Sequence, residues 1–198
     1  MVMYDLLNAL AMLEKPDGVI AFPTDTVYGI GCLPDRVEAV EKIYRLKSRD
    51  AQKPLILLGK DSDSLTAFVE TVPDIAKTLM TEHWPGPLTI VLAKNEKVPN
   101  AITKGFETVG LRQPKCELLT ELLSLVPGGV LATTSANVSG EPPCLTAKQV
   151  SDTLGNDLDF VLADDLAITD RLASTVIAIE SDGTLRVLRT GSIKFDDP

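Results

Sequence analysis

Strand-like and helix-like segments alternate along this chain and predict an α/β fold, a single domain with a twisted mixed sheet and flanking helices. Three observations carry that prediction. Short apolar runs alternate with stretches of helical spacing over all 198 residues. The last two strand-like runs, 174–179 and 184–188, are separated by Glu180-Ser-Asp-Gly183, a hairpin signal that rules out a purely parallel sheet. No internal repeat, low-complexity tract or linker divides the chain, so residues 1–198 read as one unit.

The elements follow in order. Leu6, Leu7, Leu10, Ala11 and Leu13 fall at helical spacing within 4–14. Gly18 to Phe22 is a short apolar run ended by Pro23, read as a buried strand. Asp35 followed three residues later by Glu38 has the spacing of a capping box, ahead of a helix carrying Val37, Val40, Ile43 and Tyr44 on one face. Pro54–Leu58 reads as a strand, and 62–70 and 73–82 as helices. Trp84-Pro-Gly-Pro87 is a rigid break. Leu88–Leu92, Thr108–Arg112 and Val130–Thr134 read as strands, and 115–125 and 146–154 as helices. Phe160–Leu162, Ser174–Ile179 and Thr184–Leu188 complete the strands.

Composition removes several classes of function. Lys plus Arg is 19 and Asp plus Glu is 28, a net charge of −9, and the pI is near 4.6. A general nucleic-acid binder carries a basic surface, so such a role would need a local basic cleft. No apolar run is long enough to span a membrane, and the start lacks the basic region of a signal peptide. Cys32, Cys116 and Cys144 are odd in number, widely spaced and without a CxxC pair, which argues against disulfides and structural zinc and fits a reducing cytoplasm. His83 is the only histidine, so multi-histidine zinc sites are excluded. GxxxxGK[ST], a strand-borne GxGxxG and GxSxG are all missing.

Three constellations carry potential chemistry. Thr24, Asp25 and Thr26 follow a strand, where ligands in open α/β sheets bind; a self-bonded turn would use the same residues. Lys47, Arg49 and Lys53 group three cations in seven residues, suited to phosphate, although a solvated helix end looks the same. Ser135 and Asn137 lie in Thr133–Gly140, a segment too polar for a mere strand exit. Arg112 ends an apolar strand, where a lone cation is expensive. It would either grip a carboxylate or pair with a local acid. Arg189 is an edge-strand charge, Ser174 a strand-start hydroxyl, and His83 a packing partner of Trp84 rather than a catalyst. The cysteines have no adjacent base. Nothing proposes a protein metal cage, though Mg²⁺ would travel with a nucleotide.

Seven spaced segments then agree: PTDTVYGIGC (23–32), KSRDAQKPL (47–55), WPGPLTIVL (84–92), TVGLRQP (108–114), TTSANVSG (133–140), STVIAI (174–179) and VLRTGSI (187–193). In this order they resemble the YrdC-like family of threonylcarbamoyl-AMP synthases, in its short single-domain form, from about residue 17 to 193. The resemblance implies a concave central cavity in a twisted α/β domain. It implies an enzyme that joins L-threonine, bicarbonate or CO2, and ATP into threonylcarbamoyl-AMP and pyrophosphate. Partner transferase proteins would pass the threonylcarbamoyl group to tRNA. Lys47, Arg49, Ser135 and Asn137 match the family's catalytic and ATP-binding set, and Lys53, Thr108 and Arg189 match further ATP positions. Thr26, Arg112, Thr133 and Ser174 match the threonine pocket, with Arg112 on the carboxylate. Leu58 and Pro143 depart from the pattern, standing where some relatives carry a His near threonine and a Ser near the nucleotide. The family also contains members described as binding double-stranded RNA, which leaves an RNA-binding module, or a paralogue with another nucleotide-dependent substrate, as the alternative.

Overall fold

The computed structural model describes residues 2–47, 53–164, 168–180 and 182–195. The expectation placed on Arg49 lies outside them. The described strands are β1 (Ile20–Phe22), β2 (Gly29–Cys32), β3 (Ile56–Gly59), β4 (Leu88–Ala93), β5 (Thr108–Arg112), β6 (Val130–Ser135), β7 (Phe160–Val161), β8 (Thr175–Ile179) and β9 (Leu185–Arg189). The helices are α1 (Val2–Leu13), α2 (Val37–Leu46), α3 (Ser62–Thr66), α4 (Asp74–His83), α5 (Asn100–Thr103), α6 (Glu117–Leu125) and α7 (Ala147–Leu154).

The strands form one sheet in the order β7-β1-β2-β6-β3-β5-β4-β8-β9. The pairs β1–β7, β3–β5 and β4–β8 are parallel and the other neighbours antiparallel, so the sheet is mixed as the terminal hairpin required. That hairpin joins β8 to β9, with Gly183 at φ 86°, the left-handed region that glycine enters without a Cβ penalty.

Strand alternation sorts the apolar residues into two cores. On one face Leu57, Ile90, Val109, Leu111, Ala132 and Ile177 pack against apolar side chains of α2, α3, α4, α5 and α7, among them Val40, Ile43, Leu65, Met80, Ile102 and Val150. On the other face α1 and α6 lie against one another, and Leu6, Leu13, Leu119 and Leu122 cover Ile20, Phe22, Leu58 and Leu131. These two helices reach only part of that face.

Several boundaries differ from the sequence reading. The box expected at Asp35 and Glu38 does not form: α2 starts at Val37, Arg36 is its N-cap, and no side chain caps it. Asp35 is one residue too early to reach the first free amides and lies 3.9 Å from the Arg36 guanidinium instead. A capping box forms at α3, where Asp61 accepts from the Ser64 amide at 2.8 Å. That helix stops at Thr66 rather than residue 70, because Val69 bridges to Lys94 and the Glu70 amide donates to the Ala93 carbonyl. Strand β2 was hidden by its sequence, Gly-Ile-Gly-Cys, which has little strand propensity. A Cβ on Gly31 would stand 2.9 Å from Thr133 and 3.0 Å from the Phe22 ring, so this close packing needs glycine.

Asp159 ties the edge of the sheet to the helices. It accepts from the Val19 amide at 2.9 Å and from Lys42 at 2.7 Å, with Lys15 at 3.5 Å. Burial pushes this carboxyl up, but the Lys42 and Val19 hydrogen bonds and the Lys42 and Lys15 charges outweigh it and hold the pKa below the ordinary value. A depressed folded pKa adds stability that is complete above the unfolded value of about 3.9 and is lost as pH falls through the folded one. Asp159→Asn should therefore reduce unfolding free energy at pH 7 by about 1–2 kcal/mol. Urea titrations should show that deficit shrinking as pH falls below about 4; a deficit constant with pH would contradict the charge-based account.

Candidate active site

Beyond α1 and α6 the second face of the sheet is open, and there it forms a cavity of about 510 Å³. That is within the ordinary range for small-molecule sites. Its floor is built by alternation: Ile56 and Leu58 of β3, Thr89 and Val91 of β4, Thr108, Gly110 and Arg112 of β5, Thr133 and Ser135 of β6, Val176 and Ala178 of β8. Thr24 and Thr26 from the β1–β2 turn and Ser174 before β8 close one end. Gly110 keeps the floor low. A Cβ there would stand 2.8 Å from Ile56 and 3.2 Å from Thr89, and any side chain would fill the hollow.

Arg112 is buried at the polar end. Its Nη2 donates to Asp25 at 2.6 Å, Nη1 to the Thr26 hydroxyl at 3.0 Å, and Nε to the Gly86 carbonyl at 3.0 Å. Both sequence readings of this residue thus meet in one place: it pairs with a local acid and it lines the cavity. Burial pushes its pKa down and the neighbouring Asp25 carboxylate pulls it back; a guanidinium starts high enough to stay charged. Three of its five N–H groups have these partners, leaving two for a ligand. The Thr24 hydroxyl donates to the Val27 carbonyl at 2.7 Å, so its 3.0 Å bond with Thr26 takes the Thr26 proton. Thr26 then has lone pairs free to accept from Arg112.

Lys47 stands behind the wall rather than in it. Fully buried, it donates from Nζ to the carbonyls of Ser135 and Asn137 and to Asn137 Oδ1, the latter two at 2.8 and 2.7 Å. The Ser135 hydroxyl donates to the same Oδ1 at 2.7 Å, and Asn137 Nδ2 donates to the carbonyls of Val138 and Glu141. One cation thereby fixes the end of β6, with Ser135 presented to the cavity. Thr108, Thr133 and Arg189 line the hollow as well, and Arg189 holds Ser174 through its carbonyl and hydroxyl at 3.0 Å each. Lys53 is exposed beside Pro54, a lining residue, and its carbonyl accepts from Tyr44.

Sequence reasoning missed Thr89, Gly110, Phe106 and Arg186, which also line the cavity. The signal for Thr89 and Gly110 was present: each interrupts an otherwise apolar strand. His83 does not line the cavity and meets Phe195 edge-on at 6.0 Å. The cysteines are unpaired, and burial raises their pKa values, Cys32 to about 12 and Cys116 to about 11. Thiolate chemistry is thus disfavoured. No helix among the described residues is long and apolar enough to cross a membrane.

The Sua5/YciO/YrdC family, described as Telomere recombination, matches residues 13–191. The chain belongs to that family. Its relatives include the threonylcarbamoyl-AMP synthase of Vibrio parahaemolyticus, 34% identical over 94% of this chain and 97% of the relative. A solved Pyrococcus abyssi Sua5, complexed with L-threonine, superimposes with a TM-score of 0.88 at 32% identity over 96% of this chain and 55% of that one. Escherichia coli YciO shares the fold, with a TM-score of 0.83 at 24% identity. This family member thus spans nearly all of the Vibrio protein and little more than half of the longer Pyrococcus chain.

Replacing Lys47 by Met would leave the Ser135 and Asn137 carbonyls without their donor. Lys47→Met should lower stability by about 1–3 kcal/mol, measured by urea denaturation, and loosen the end of β6. Unchanged stability would show that the ammonium is dispensable there.

Proposed function

We propose that this family member is a threonylcarbamoyl-AMP synthase, a nucleotidyltransferase acting on L-threonine, bicarbonate or CO2, and ATP. The observation that carries this reading is the convergence of Thr26, Arg112, Thr133 and Ser174 with Thr108, Ser135 and Arg189 on one cavity, from five separate stretches of sequence. One end offers hydroxyls and a buried guanidinium to an amino acid. The exposed Arg189 offers a guanidinium to a triphosphate, and Ser135 lines the β6 side of the same hollow.

The chemistry balances with these groups. The threonine amine attacks the carbon source and gives a carbamate, releasing water when that source is bicarbonate and a proton to solvent when it is CO2. A carbamate oxygen attacks the α-phosphorus of ATP, the bond to the bridging oxygen breaks, and pyrophosphate leaves. Arg112 clamps the amino-acid carboxylate through its two remaining N–H groups. Thr26, Thr133 and Ser174 surround the rest of the amino acid. Lys53, Thr108, Ser135, Arg189 and Arg49 serve the phosphates and the adenylate, with Lys47 and Asn137 acting through their hold on Ser135. Charge accumulates on phosphate oxygens throughout, so positioning and fixed donors supply most of the acceleration. The described residues contain no group of three or more His, Cys, Asp or Glu suited to a metal. In this reading Mg²⁺ arrives with the nucleotide substrate. The product is a mixed anhydride, to be consumed in the cytoplasm by transferase proteins that modify tRNA.

Purified protein given ATP, Mg²⁺, bicarbonate and single amino acids should release pyrophosphate only with threonine; no threonine dependence would overturn the reading. Arg112→Lys keeps the charge but loses the planar fork, so it should raise KM for threonine by about tenfold while KM for ATP changes less than about twofold. Steeply salt-dependent tRNA binding without pyrophosphate release would instead make the chain an RNA-binding module.

A further inference from the structure

We infer that Asp25 makes the amino-acid end of the cavity select a zwitterion over a simple carboxylate, by cancelling the charge of Arg112 while holding its guanidinium in place. This rests on the threonine reading above and adds a residue that the reading does not use.

The Arg112 and Asp25 side chains are 5% and 6% exposed and 2.6 Å apart. Without Asp25, a desolvated guanidinium would bind any small anion, including bicarbonate and the phosphates of the co-substrate in the same hollow. With Asp25 the pair is neutral. A ligand bringing only a carboxylate then leaves a net negative charge beside Asp25 in a poorly solvated place, which is expensive. A ligand bringing its own ammonium does not. The groups able to receive that ammonium are neutral oxygens lining the same cavity: the hydroxyls of Thr26, Thr89, Thr133 and Ser174. Other charged residues near this end are Asp170, which acts on Arg112 more weakly than Asp25, Asp164 and Lys115 beside Cys116, and Arg189, which is exposed and engaged with Ser174.

Asp25 is built to stay where it is. The oxygen that accepts from Arg112 also accepts from the Lys115 amide at 3.1 Å, which fixes the carboxylate. Its backbone carbonyl accepts from the amides of Thr169 and Asp170, both at 3.1 Å, and so anchors the segment leading to Ser174. Asp25 does not line the cavity. It is a positioning residue that acts through Arg112.

The test compares calorimetric binding of L-threonine and of 3-hydroxybutanoate, the same molecule without its amino group, to the full chain and to Asp25→Asn. The wild-type protein should prefer threonine at least tenfold. Asp25→Asn should reduce that preference tenfold or more, with threonine weakened and the hydroxy acid unchanged or tightened. A merely structural role would weaken both ligands and leave their ratio alone, and an unchanged ratio overturns the inference. If Asp25→Asn loses its melting transition, Asp25→Glu is read instead. It keeps the charge, so the ratio must stay within about threefold of wild type even if both affinities fall; a collapsed ratio there overturns the inference. Wild-type protein that binds no threonine would instead refute the substrate reading itself.

Discussion

A strand shows alternate residues to opposite faces, and that constraint decides where this molecule can hold a ligand. In β3, β4, β5, β6 and β8 one set of positions is committed to the core beneath α2, α3, α4, α5 and α7. The other set faces a side that α1 and α6 cover only in part. Where those helices stop, the same alternation that turns Leu57, Ile90 and Leu111 into the core must turn Ile56, Thr89, Gly110 and Arg112 toward the hollow. The hollow is therefore inseparable from the core, because a one-residue register slip would exchange them.

Two buried cations serve that hollow in different ways. Lys47 is committed to acceptors at the end of β6 and shapes the wall. Arg112 is partly committed, to Asp25, Thr26 and Gly86, and lines the cavity. A flexible ammonium with three donors suits carbonyls clustered around a point, while a planar fork suits a carboxylate. Both are tolerable inside a protein of net charge −9 because each is hydrogen-bonded to oxygen; a desolvated charge left alone would cost several kcal/mol.

Much of this was legible in the sequence. A cation ending an apolar strand had to be either a ligand grip or half of an ion pair; Arg112 forms the ion pair with Asp25, at the lining of the cavity. The density of hydroxyls and amides at Thr133–Gly140 marked the end of β6 as more than a turn. What stayed hidden depended on tertiary context. Nothing local says that Lys47, in a run of cations at a helix end, turns inward to meet the carbonyls of Ser135 and Asn137, about 90 residues away. Strand β2 carries two glycines and shows no alternation, yet pairs on both sides because glycine lets Phe22 and Thr133 approach. The end of α3 was set by Val69 and Glu70 joining the edge of β4. Asp25 was visible as a polar turn residue, but its pairing with Arg112 spans 87 positions and needed the fold.

The most direct measurement is a crystal structure of the protein with L-threonine and a non-hydrolysable ATP analogue. The account predicts the threonine carboxylate within hydrogen-bonding distance of Arg112, its amine directed toward the α-phosphate, and the phosphates along the Ser135 and Arg189 side of the same hollow. An amino acid bound away from Arg112, or the two ligands occupying separate cavities, would contradict it.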